Sequence, residues 1–183
     1  MPLHELILGG ARSGKSRCAE ARAAAWLAQP GQRATLLATA EAGDDEMRAR
    51  IAQHRADRAA RVPRLCTREE PLALPEALES ATPEHLLVVD CLTLWLTNLH
   101  LPLHGTPLAD AQAREHALLA ALAAARGPVV LVSNEIGLGV MPVSREARQF
   151  VDALGRLHQR VAAQCARVTL MVAGIEVPVQ GAR

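Results

Sequence analysis

The chain has 183 residues, half of them hydrophobic, a formal charge of +1, one Phe, two Trp and no Tyr. That length supports one folded domain over residues 1–183. The even charge balance argues against a grip on nucleic acid through phosphates, and the lack of aromatic residues argues against stacking on single strands.

The first apolar run, Leu6-Ile7-Leu8, leads into Gly9-Gly10-Ala11-Arg12-Ser13-Gly14-Lys15-Ser16. This segment fits G-x-x-x-x-G-K-[ST] at every fixed position, between an apolar strand and an Ala-rich helix from about Lys15 to Leu27. Each fixed residue has a chemical reason. Gly9 and Gly14 let backbone N–H groups gather around phosphate oxygens, at the positive end of the helix that follows. Lys15 brings a point charge to the β- and γ-phosphates, and the Ser16 hydroxyl is a ligand for Mg²⁺.

A second run, Ala34 to Ala38, precedes a helix spanning about Asp44 to Arg61, with acids at its start that suit the helix dipole. On that helix Glu46, Arg50, His54 and Arg58 are four apart and share a face. Guanidinium groups one turn to either side disfavour an imidazolium, and Asp57 is spaced to hydrogen-bond the ring. A neutral imidazole is the nucleophilic form. From spacing alone His54 is a candidate among seven histidines, and an Arg-rich face that simply meets water is the competing reading.

Leu86 to Val89 ends directly in Asp90, as a Walker-B carboxylate ends a buried strand. Glu135, just after the run Val129 to Val132, is the rival acid. Between them lie the Pro-rich segment His100 to Pro107, read as a surface excursion, and a helix from about Leu108 to Arg126. The last helix, about Arg145 to Cys165, places Phe150, Leu154, Leu157 and Val161 on one stripe. Val168 to Val172 forms the final run. Continuous apolar strands alternating with helices imply an α/β fold with a mainly parallel sheet covered on both faces. The scattered cysteines Cys18, Cys66, Cys91 and Cys165 suit buried thiols in a reducing compartment. The N-terminus has no signal-peptide pattern, no run nears a membrane span, and a cytoplasmic protein is expected.

Three groups of residues together carry a resemblance. They are the His helix segment Arg50-Ile51-Ala52-Gln53-His54-Arg55-Ala56-Asp57-Arg58, the segment Asp90-Cys91-Leu92-Thr93, and Ser133-Asn134-Glu135-Ile136-Gly137. With the phosphate loop and the Ala147-Arg148-Gln149-Phe150 and Val172-Ala173-Gly174-Ile175 segments, the chain resembles, end to end, the bifunctional adenosylcobinamide kinase / adenosylcobinamide-phosphate guanylyltransferase family of cobalamin biosynthesis. The resemblance implies a kinase step with ATP or GTP. A GMP transfer through a guanylyl-histidine at His54 would follow, with Lys15 also catalytic.

The same resemblance implies nucleotide contacts at Gly9 to Ser16, at Ala38, Thr39 and Ala40, at Arg55, Ala56, Asp57 and Arg58, and at Glu69 and Asp90. It further implies Mg²⁺ on Ser16 and Asp90, a corrinoid substrate, and a homotrimer. The chain departs from the family pattern at Arg58 to Cys66, which leaves Glu69 and Glu70 as alternatives, and at His158, where Asn is usual. Two rival readings are a small-metabolite kinase without nucleotidyl transfer, and a GTPase-like switch or motor-type ATPase acting through a protein partner. The switch reading lacks its Asn-Lys-x-Asp tetrapeptide, since Lys15 is the sole lysine.

Overall fold

The structure, a computed structural model, describes residues 4–103, 108 and 110–181. Its strands are β1 (Glu5–Gly9), β2 (Arg33–Ala38), β3 (Cys66–Glu69), β4 (His85–Asp90), β5 (Val129–Asn134), β6 (Arg167–Val172) and β7 (Ile175–Gln180). Its helices are α1 (Lys15–Leu27), α2 (Asp45–Arg61), α3 (Leu74–Leu78), α4 (Leu92–His100), α5 (Ala111–Ala124) and α6 (Arg145–Ala162). All seven strands form one sheet in the order β3-β2-β4-β5-β1-β6-β7. Every pairing is parallel except β6 with β7.

The continuous apolar runs sit where both sheet faces are covered. Successive side chains point to opposite faces, so each run divides between two cores. Leu6, Leu37, Leu87, Val89, Leu131 and Val168 enter a large core with Trp95, Leu118, Leu154 and Leu157 from α4, α5 and α6. Ile7, Leu36, Leu86, Val88, Val130 and Val132 enter the opposite core with Cys18, Ala19, Ala23 and Leu27 of α1. On α6 the expected stripe is buried at Leu154, Leu157 and Val161, with Phe150 packed against it. Ser144 caps that helix by accepting the Ala147 N–H at 3.1 Å, and Asp44 caps α2 by accepting from Met47 at 2.7 Å.

Four elements carry too little pattern to be read from sequence. β3 is an exposed edge strand of polar residues, and β7 is an exposed edge strand containing Pro178. α3 is five residues long, and α4 is buried nearly all round. Cys66 lies on edge strand β3 and is exposed, so the expectation of four buried thiols holds for Cys18, Cys91 and Cys165 only. In the Pro-rich segment, Leu101 and Leu103 are exposed, while residues 104–107 lie outside the described residues.

Candidate active site

The phosphate loop runs from β1 into α1, and its shape is held from three sides. Gly9 is buried with φ of 153°, and a Cβ there would meet Met171 O and Ser13 Oγ, each at 2.6 Å. Only glycine fits so close an approach. Gly14, at φ 101°, is the N-cap of α1. The turn between β6 and β7 braces the loop. Ala173 and Gly174 both have positive φ, as a two-residue hairpin requires, and the Gly174 N–H donates to Ser13 O at 2.9 Å. This gives the Val172-Ala173-Gly174-Ile175 segment a physical purpose.

Lys15 is buried, and its Nζ donates to Gly10 O at 2.7 Å across the loop. Burial lowers its pKa, and the positive Arg50 side chain adds to that, while Asp90 acts in the opposite sense. Asp90 ends β4, two strands from β1, close enough to Ser16 for that side chain to favour its ionised form. Burial pushes the Asp90 carboxyl up; Ser16 and the positive Arg58 guanidinium pull it down. Asp90, rather than Glu135, is thus the strand-end acid on the Ser16 side of the loop.

The same electrostatic contacts locate the histidine helix. Arg50 acts on Lys15, while His54 and Arg58 act on Asp90, so one face of α2 looks onto the cradle. His54 is exposed, whereas Arg58 is buried and donates to Thr67 Oγ1 at 3.2 Å. Arg61 anchors the end of α2 to the buried Glu20 of α1 at 2.7 Å. Asp57 does not orient the imidazole. Its carboxylate accepts from Gln53 at 2.6 Å and faces Arg61 at 4.0 Å, because partners four residues away on the helix take it from His54. Ala56 lies exposed on the outer surface of α2.

A second cleft of about 500 Å³ opens between α2 and the ends of β2 and β3, where Ala40, Ile51, Arg55, Glu69 and Pro71 meet. Arg55 and Glu69 form an ion pair in it. Glu70 is turned to structural work, accepting from Ala73 N at 3.0 Å and from Arg68 at 2.8 Å. Of the two alternatives, Glu69 is thus the one that faces the cleft. Ala40 lines it, and Ala38, also half-buried, ends β2 just before it. Thr39 is fully buried, and its hydroxyl both accepts from Cys91 N and donates to Cys91 O, each at 2.7 Å. Its side chain pins the strand end that carries Asp90 instead of pointing into the cleft.

The loop flanks another cleft of about 380 Å³ on its far side, lined by Gly10 to Ser13, Glu135 and Met171. Glu135 borders it beside the buried His158, whose Nδ1 stands 3.6 Å from Glu135 Oε2. Sequence reasoning weighed Glu135 only as a rival to Asp90. The signal that it has a separate place was the substitution of His for the usual Asn at 158, whose partner could not be read from spacing. The other described histidines are engaged elsewhere or lie away from the loop. His4 accepts from Val129 N, His85 meets Thr35, His100 meets Glu115, and His116 is exposed on α5.

Among the described residues, no helix is long and apolar enough to cross a membrane, and no group of three or more His, Cys, Asp or Glu could hold a metal ion. Residues 5–179 match the family described as cobinamide kinase / cobinamide phosphate guanyltransferase. The chain is 49% identical to the bifunctional adenosylcobalamin biosynthesis protein CobP of Pseudomonas aeruginosa over 180 residues, which cover 98% of each chain. It is 38% identical to the bifunctional adenosylcobalamin biosynthesis protein CobU of Escherichia coli over 186 residues, covering 96% of this chain and 98% of the other. Among solved structures it is similar in fold to the flagellar accessory protein FlaH of Methanocaldococcus jannaschii. That match has a TM-score of 0.54 and 10% identity, covering 98% of this chain and 78% of FlaH.

Proposed function

The chain belongs to the cobinamide kinase / cobinamide phosphate guanyltransferase family, and from that premise we propose that one phosphate cradle serves two successive reactions. In the first, the aminopropanol hydroxyl of adenosylcobinamide takes the γ-phosphoryl group of ATP or GTP. In the second, GMP from GTP passes to that new phosphate through a guanylyl-histidine, giving adenosylcobinamide-GDP and pyrophosphate. The observation that carries the reading is that His54 lies one turn before the buried Arg58 on the same face of α2, with Arg61 tying that helix to α1, the helix that leaves the phosphate loop. A kinase cradle alone has no use for a histidine there.

In the transfer step the neutral His54 imidazole attacks the α-phosphorus of GTP, and pyrophosphate leaves with the electron pair. The phosphate of the corrinoid substrate then attacks the same phosphorus and displaces the imidazole, so one hard displacement becomes two easier ones. Lys15 and the loop N–H groups stabilise the charge that grows on the phosphates, and Arg50 and Arg58 add to that field. The nucleoside end fits the α2 cleft, with Arg55 and Glu69 at its wall and Ala40 at its floor, just beyond the strand end at Ala38 and Thr39. Asp57 and Ala56 shape the outer side of α2, away from the phosphates.

The donor set at Ser16 and Asp90 suits Mg²⁺, which prefers oxygen and takes few protein ligands beside substrate phosphates. When bound there, the ion would neutralise phosphate charge. The exposed apolar side chains of Val172, Ile175, Val177 and Val179 along the sheet edge support assembly with other copies of the chain, in keeping with a homotrimer. A cytoplasmic setting and a single domain over residues 1–183 complete the reading.

The test is incubation with adenosylcobinamide, GTP and Mg²⁺, followed by mass analysis of the corrinoid. Adenosylcobinamide-GDP is the expected product. Accumulation of adenosylcobinamide phosphate alone would leave the enzyme a plain kinase.

A further inference from the structure

We propose that Glu135 receives the proton of the acceptor hydroxyl in the kinase step, and that His158 is the positioning residue that holds its carboxylate at the cradle. The inference rests on the kinase half of the proposed function and concerns a step that His54 does not serve.

Glu135 follows β5 directly, and its N–H donates to Gly9 O at 3.0 Å, so its backbone is tied to the first residue of the phosphate loop. The carboxylate is held from two sides. Oε1 accepts the Gly137 N–H at 2.6 Å, and Oε2 faces His158 Nδ1 at 3.6 Å. Glu135 lines the cleft that Gly10 to Ser13 also line. Asp90 ends the neighbouring strand β4, so the two acids stand at the ends of adjacent strands.

Behind Glu135 runs a line of buried polar groups. His158 Nε2 lies 2.7 Å from Ser133 Oγ, Ser133 Oγ lies 3.0 Å from Thr93 Oγ1, and Thr93 Oγ1 accepts the Asn134 N–H at 2.7 Å. One assignment of protons satisfies the whole line. Asn134 N–H donates to Thr93, Thr93 O–H to Ser133, Ser133 O–H to His158 Nε2, and His158 Nδ1–H points at Glu135. Burial lowers the His158 pKa and the Glu135 carboxylate raises it, so the ring is buried next to the one group that needs its N–H. The rest of that α6 stripe is apolar, and a leucine would fill the place without polar atoms to satisfy. What the imidazole adds is an arm that orients Glu135.

The chemistry balances without another reactant. The substrate hydroxyl oxygen forms a bond to the γ-phosphorus, and the bond from that phosphorus to the β–γ bridging oxygen breaks. The nucleoside diphosphate leaves with the electron pair. The hydroxyl proton passes to the Glu135 carboxylate and then to water. The transition state is loose, so aiming the hydroxyl matters as much as taking its proton. The acceptor in guanylyl transfer is an ionised phosphate, which has no such proton to lose.

The experiment uses the whole enzyme with Mg²⁺ in two assays: adenosylcobinamide with ATP, and separately prepared adenosylcobinamide phosphate with GTP. In Glu135→Gln the kinase kcat is expected to fall about 100- to 10,000-fold, with little change in KM for adenosylcobinamide and with guanylyl transfer kept. His158→Leu is expected to lower the kinase kcat by about tenfold or more, and His158→Asn, which keeps an N–H near the position of Nδ1, to restore most of it. A Glu135→Gln enzyme that phosphorylates adenosylcobinamide at the wild-type rate overturns the proposal. So does a loss that strikes both assays equally. A wild-type enzyme with no kinase turnover would instead remove the kinase reading on which the proposal stands.

Discussion

The phosphate loop and the histidine helix are the two halves of the proposed site, and they are built in opposite ways. The loop is anchored at its ends between β1, α1 and the β6–β7 turn, and its conformation is set by main-chain contacts and by Gly9, which admits no Cβ. The helix α2 is polar along most of its length, with Arg58 as its one buried residue, and side-chain contacts from Arg58 and Arg61 tie down its last turns. A rigid cradle fixes charge and phosphate, which both reactions need. A helix held at one end leaves His54 exposed, which suits the proposed role of attacking phosphorus in one reaction only. Division of labour follows from how firmly each part is held.

Removing the nucleophile breaks the comparison most sharply. His54→Ala is expected to drop guanylyl transfer to background while kinase turnover persists, as read by separate assays of the two products. Lys15→Ala should lower both rates together, by about 100- to 1,000-fold, because the cradle is shared. If that variant spared either reaction, two cradles would be needed.

Smaller effects should appear in stability. Thr39→Val removes the hydroxyl that satisfies both ends of the Cys91 backbone. It is expected to cost about 1–3 kcal/mol in urea unfolding and to weaken both reactions by loosening Asp90. The smallest effect is on pH dependence. Burial lowers the pKa of His4, His85 and His158 below the usual 6.5. The unfolded chain then binds protons that the folded chain does not, so stability is full above pH 6.5 and declines as pH falls below it. Thermal melts from pH 8 to about 5 check the sign.

Much of this was legible in the sequence, and the reasons differ by region. The loop could be read because amide groups around phosphate demand Gly9, Gly14 and Lys15 at fixed spacing, whatever the rest of the chain does. The central strands could be read because burial on both faces leaves continuous apolar runs. The edge strands β3 and β7 could not, since one side of each pairs with nothing in the sheet and their residues need not be apolar. Side-chain partners were the least legible. Asp57 had three candidates within a helical turn, and only the structure shows that Gln53 and Arg61 take it. Glu135 and His158 are far apart in sequence, and nothing in local spacing links them.

The measurement that bears most directly on this account is peptide mapping of the enzyme after incubation with GTP and Mg²⁺, without corrinoid. The account expects a single acid-labile GMP adduct on the peptide containing His54, discharged when adenosylcobinamide phosphate is added. An adduct at any other residue, or product formed by an enzyme that never carries one, would contradict it.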